Sequence, residues 1–157
     1  MKTHRILTIL CGLVVFAYAA YSIYAKAQPT FEIYGIGALT TTASQDDVNG
    51  ARYEVCHSLG HWIHGEDGKI SNPSFGETGQ SWSSTTDSYG KSRTRGVGRG
   101  KTQFTDAKGN LVVIEEITGD GLPTYVFFTA SGSEGTAPVL NAFIAALQKR
   151  GVKMAAH

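Results

Sequence analysis

Nineteen residues from Ile6 to Tyr24 carry no charge; Lys2 and Arg5 precede them and Ala25-Lys26-Ala27 follows. A run this long and apolar is stable only in hydrocarbon, so it cannot belong to the core of a small water-facing domain. A cationic start, an apolar middle and small residues at a cut site make a secretory signal, with cleavage expected after Ala27. The run exceeds the roughly 7–15 residues of a signal core and approaches the ~20 that span a bilayer, so an uncleaved anchor is the alternative. Tyr18, Tyr21 and Tyr24 suit a membrane interface toward its outer end. Under both readings Lys2 and Arg5 hold the N-terminus inside. Residues 28–157 are then expected outside the cytoplasm, periplasmic or tethered to the inner membrane and facing outward.

Those 130 residues are one domain's worth, enough to bury a core without disulfide staples. Setting aside Lys2, Arg5 and Lys26 from the 14 cations leaves eleven against 13 acids, a net of about −2, so bulk charge does not recommend nucleic acid as a partner. Cys56 is the single cysteine beyond the leader, which rules out an internal disulfide there and points to a buried, inert thiol.

From Phe31 to Ser131 the chain is rich in Thr, Ser, Tyr, Val and Gly with frequent turn signals, as in an antiparallel β domain. The expected fold is α+β: a twisted antiparallel sheet of five to seven strands, able to curl into a half-barrel, with one C-terminal helix packed on it. Leu111 to Thr118 and Thr124 to Ala130 are the clearest strands, and Tyr125, Val126, Phe127 and Phe128, apolar on both faces, make the second one central. Leu140, Phe143, Ile144 and Leu147 mark one face of the C-terminal helix, with Thr136 at its N-cap, Pro138 in its first turn and Gly151 beyond its end.

Residues 44–65 read two ways. Ser44 with Asp47 forms a capping box before a helical stripe of Val48, Val55, Leu59 and Trp62. Against it, Asn49-Gly50 is a hairpin turn, Tyr53, Val55, His57 and Leu59 alternate, and Gly50 and Gly60 inside a helix would each cost about 1 kcal/mol relative to alanine. A hairpin is the favoured expectation. Residues 72–79 are expected to form a loop too polar and glycine-rich to pack.

Two constellations bear on chemistry. His57, His61 and His64, with Cys56 or Glu54 beside them, fall on one face if the segment is helical and so are candidate ligands for a divalent metal; as a strand they are too far apart. Lys91, Arg93, Arg95, Arg99 and Lys101 alternate with small residues, so a strand there presents five cations on one face to an anionic surface or an acidic protein partner. Glu115 and Glu116 point to opposite faces of their strand, which removes them as a catalytic pair and leaves one facing inward in need of a partner. Gly96 to Thr102 imitates a phosphate-binding loop but has Arg95 where the pattern needs glycine. Gly60-His61-Trp62 resembles the first lipocalin signature, yet Thr86-Asp87-Ser88-Tyr89, which resembles the second, follows too closely to leave room for a barrel.

The leading functional expectation is a non-enzymatic exported envelope protein that binds an anionic surface or partner through the five cations. A metal-binding protein or metal-dependent enzyme using the histidines is the first alternative. A domain holding a small apolar ligand, lined by Tyr125, Phe127, Trp82 or Phe104, is the second.

Overall fold

The structure is a computed structural model that describes residues 28–79, 85–86, 92–93, 97–119 and 123–156; the leader expected at residues 1–27 lies outside the described residues. In chain order the elements are β1 (Thr30–Ile33), β2 (Ala38–Thr41), α1 (Gln45–Leu59), β3 (Ile63–His64), β4 (Ile70–Ser71) and β5 (Gly76–Thr78). They continue with β6 (Thr85–Thr86), β7 (Ser92–Arg93), β8 (Val97–Thr105), β9 (Leu111–Gly119), β10 (Thr124–Ala130), α2 (Ala137–Lys149) and β11 (Lys153–Met154).

Period-two alternation builds the centre. Along β8, β9 and β10 every second residue is buried, and the three strands pair antiparallel as a meander. The hairpin of β1 and β2 docks on β10 through β2, and the short β5 caps the far edge on β8, giving seven strands in the order β11-β1-β2-β10-β9-β8-β5. The sheet is open and mixed: β5 and β11 are separate edges, and β11 runs parallel to β1, a departure from the all-antiparallel expectation. The parallel pair follows from connectivity, because α2 lies between β10 and β11 and returns the chain along the sheet.

One face of the sheet carries the core. Phe31, Leu39, Phe104, Ile114, Val126 and Phe128 are buried against Val48, Ala51 and Val55 of α1 and Val139, Phe143 and Leu147 of α2. Thr136 stands at the N-cap of α2 but makes no side-chain capping bond, whereas Pro138 in the first turn and Gly151, at φ +83° in the left-handed conformation past the last turn, are as expected.

The hairpin expected over residues 44–65 is wrong, since α1 occupies that stretch. The capping box is the signal that wins, with Ser44 Oγ accepting from the Asp47 backbone N–H at 3.2 Å and donating to Asp47 Oδ2 at 2.6 Å. Both glycines that argued against a helix have steric reasons. A Cβ on Gly50 would stand 2.8 Å from Arg150 Nε, whose guanidinium crosses α1 to reach Glu54 at 2.8 Å. A Cβ on Gly60 would stand 2.4 Å from the Cys56 carbonyl oxygen and 2.8 Å from Trp62 Nε1. Gly60 lies just past the helix, where its backbone bridges to Asp106 while His61 N–H donates to the Thr105 carbonyl at 2.7 Å. The end of β8 thus pulls the chain out of α1.

Residues 72–79, expected to be an unpacked loop, stay largely exposed, but Asn72 is buried and Gly76–Thr78 pair with β8. Asn72 behaves as a strand partner to Thr105: its amide donates to the Thr105 carbonyl at 2.8 Å and its Oδ1 accepts the Thr105 N–H at 3.2 Å. A side-chain amide has the same donor and acceptor pair as a peptide group, so it can extend the ladder by one step.

Candidate aromatic cleft

Because α1 stops at Leu59 and the chain turns sharply at Gly60, Trp62 folds back over the last turn of the helix and donates through Nε1 to the Cys56 carbonyl at 3.3 Å. Its ring stacks on His57 with centroids 4.9 Å apart and planes 12° from parallel. Tyr53, one turn before His57, is tilted against the imidazole at 4.3 Å, and Phe75 closes on Trp62 at 5.6 Å. Four rings from α1, the β3 approach and the β4–β5 connection therefore touch in series. Phe75 is held in that row by Asn72, whose carbonyl accepts the Phe75 N–H at 3.0 Å.

These rings line a cleft of about 680 Å³ whose remaining wall includes His64, Ile70, Ser71 and Glu77. Tyr53 and Phe75 are 62% and 40% exposed, so large apolar area faces water here. Glu77, on β5, is fixed by Arg52, which donates to it at 2.7 Å from α1 and also lies 3.7 Å from the buried Glu116. Glu116 is the inward-facing carboxylate expected of the Glu115/Glu116 pair. Gln45 donates to its Oε1 at 3.0 Å, and Thr118 donates to Gln45 in turn at 3.0 Å. Gly100 on β8 leaves the space that the Glu116 side chain occupies.

The histidines do not form the row that a longer helix would have produced. His57 is on α1, whereas His61 and His64 follow its end; His57 and His64 line the cleft and His61 does not. Among the described residues no group of three from His, Cys, Asp and Glu is placed to hold a metal ion. Cys56 is buried in the core, where burial, with Glu77 adding to it and Arg52 opposing, pushes the thiol up to about 11. Iodoacetamide at pH 8 is therefore expected to leave Cys56 unmodified in the native protein and to alkylate it fully in urea, followed by peptide mass mapping; fast native labelling would contradict this burial.

The three of the five cations that lie among the described residues belong to two different strands. Arg99 and Lys101 lie on the outer face of β8, Arg93 is in β7, which pairs with β6 in a separate two-stranded sheet, and Lys91 and Arg95 lie outside the described residues. Lys101 is 3.6 Å from Glu115 on the neighbouring strand. Cross-strand register sets Arg99, Ile117 and Tyr125 in one outer row and Lys101, Glu115 and Phe127 in the next. Tyr125 and Phe127 are 44% and 40% exposed, so the second face of β10 is open although its side chains are apolar. Of the residues named for an apolar pocket, Phe104 is in the core and Trp82 lies outside the described residues.

Among the described residues, no helix is long and apolar enough to cross a membrane. Comparison with protein-family models, with curated proteins and with solved structures finds no match for this chain.

Proposed function

We propose that this is a non-enzymatic binding domain working outside the cytoplasm, and that its aromatic cleft holds a saccharide of the cell envelope. The observation that carries the reading is the series Tyr53, His57, Trp62 and Phe75, touching ring to ring beside exposed polar groups. A sugar ring presents C–H groups on its faces and hydroxyls around its rim. It is matched by aromatic surface with hydrogen-bonding groups at the border, here His64, Ser71 and Glu77. Mutual contact also fixes the rings before a ligand arrives, which lowers the ordering cost of binding. The volume is within the range of small-ligand sites.

Titration with soluble peptidoglycan fragments, read by tryptophan fluorescence and calorimetry, tests the reading. Trp62→Ala is expected to weaken binding at least about tenfold, or ~1.4 kcal/mol, measured well below the thermal midpoint, which the loss of its contacts with Cys56, His57 and Phe75 lowers. Equal affinity in the wild type and the variant would end the reading.

A second reading, an anionic surface as partner, is favoured by the outer sheet face. There Arg99 and Lys101 share cross-strand rows with the exposed rings of Tyr125 and Phe127, a combination suited to phosphate head groups. Salt-sensitive retention on anionic vesicles that is lost in Arg99→Ser/Lys101→Ser, but not in Trp62→Ala, would favour this face over the cleft.

A further inference from the structure

A second hollow, of about 270 Å³ and sharing no lining residue with the aromatic cleft, is walled by Leu59 at the end of α1, the β8–β9 turn and the β10–α2 connection. Leu59, Val112, Ala130, Pro138 and Val139 supply apolar walls from four elements. Asp106, Lys108 and Glu134 stand among the lining groups with charge. We propose that this hollow is a binding site for a small organic cation with an apolar body, of the arylalkylamine kind.

Size bounds the group that the hollow can enclose. An apolar cavity of about 150 Å³ accommodates benzene, so this one has room to enclose a single ring and a short tail. Charge sets the sign. Two carboxylates face one ammonium, leaving a net of −1 among the lining side chains. Asp106 is held ionised in its turn. Burial pushes its carboxyl up, but the Asn110 amide and the backbone N–H groups of Asn110 and Lys108, all donating to it, outweigh that and keep it below the usual range. Glu134 pairs with Lys108 across the two walls, both side chains being about 60% exposed. An exposed pair of this kind contributes little and exchanges readily, so an incoming ammonium can take over the Glu134 carboxylate while its ring fills the apolar interior. The walls are kept close together by Gly132, where a Cβ would stand 2.7 Å from the Asn110 amide nitrogen.

The purified protein titrated with 2-phenylethylamine, 2-phenylethanol and phenylacetate, followed by amide shifts in two-dimensional NMR, provides the test. The amine is expected to bind saturably with shifts confined to residues 106–112 and 130–139, at least tenfold more tightly than phenylacetate. Glu134→Gln should weaken the amine about tenfold and leave the alcohol unchanged, whereas Ala130→Leu should abolish binding of all three by filling the hollow. Should Ala130→Leu fail to fold, the exposed Glu134 substitution decides. Trp62→Ala should have no effect here, which separates this site from the aromatic cleft. Absence of saturable shifts with any probe, equal binding of amine and phenylacetate, or an unchanged amine affinity in Glu134→Gln would overturn the proposal.

Discussion

Phe143→Ala is expected to destabilise the domain by about 3–5 kcal/mol, the range for deleting a fully buried ring. Phe143 has no exposed surface, and its ring meets the edge of Phe128 with centroids 5.2 Å apart, so it joins α2 to the centre of the sheet. Collapse cannot refill the space cheaply, because Leu39, Val126 and Leu147 are themselves fully buried. Domains of this size retain only about 5–15 kcal/mol in total, so the variant should unfold at a urea midpoint lower by more than about 1 M with an unchanged slope. A shift within error of zero would mean that α2 does not pack on the sheet through this residue.

The second large effect belongs to Gly100. A Cβ there would lie 2.6 Å from Glu116 Oε1 and 2.9 Å from its Cγ, so any side chain must displace a buried carboxylate from Gln45 and Arg52. Gly100→Val is expected to cost about 1–3 kcal/mol through overpacking, although valine suits a strand better than glycine does. In a Glu116→Ala background the same substitution should become nearly neutral, because the space it needs has been vacated. A double-mutant cycle in urea measures this directly; costs that simply add would show that the glycine serves something other than Glu116.

How far the chain announces these features depends on the range over which each residue is constrained. Leu140, Phe143 and Leu147 declare α2 because the stripe, the first-turn proline and Gly151 all lie within fifteen residues. The β-branched and aromatic runs Leu111 to Thr118 and Thr124 to Ala130 declare β9 and β10 for the same reason, and they require one of Glu115 and Glu116 to face inward without saying which. Gly50 and Gly60 misled because what they accommodate is remote or comes later: the Arg150 guanidinium from beyond α2, and a Trp62 ring that folds back. The Ser44–Asp47 capping box carried the correct answer locally and was outweighed. The aromatic cleft had no short-range signature. It needs α1 to end at Leu59, and it needs Asn72 to dock on Thr105 so that Phe75 reaches Trp62. The placing of Cys56, His57, His61 and His64 within nine positions suggested ligands, yet the helix ends at Leu59, five residues before His64, and leaves two of the histidines on the chain that follows.

The neighbours of the first hairpin carry a consequence for how the molecule is made. β1 and β2 pair with each other, but their outer neighbours are β11 and β10, so this hairpin finds no further lateral partner until residues 124–154 have been synthesised. An isolated two-stranded hairpin is marginal in water, and closing so long a loop is slow. Acquisition of the native sheet is therefore a late, whole-chain event, and a ribosome-bound fragment lacking β10 and β11 is a substrate for chaperones and proteases rather than a partly finished domain.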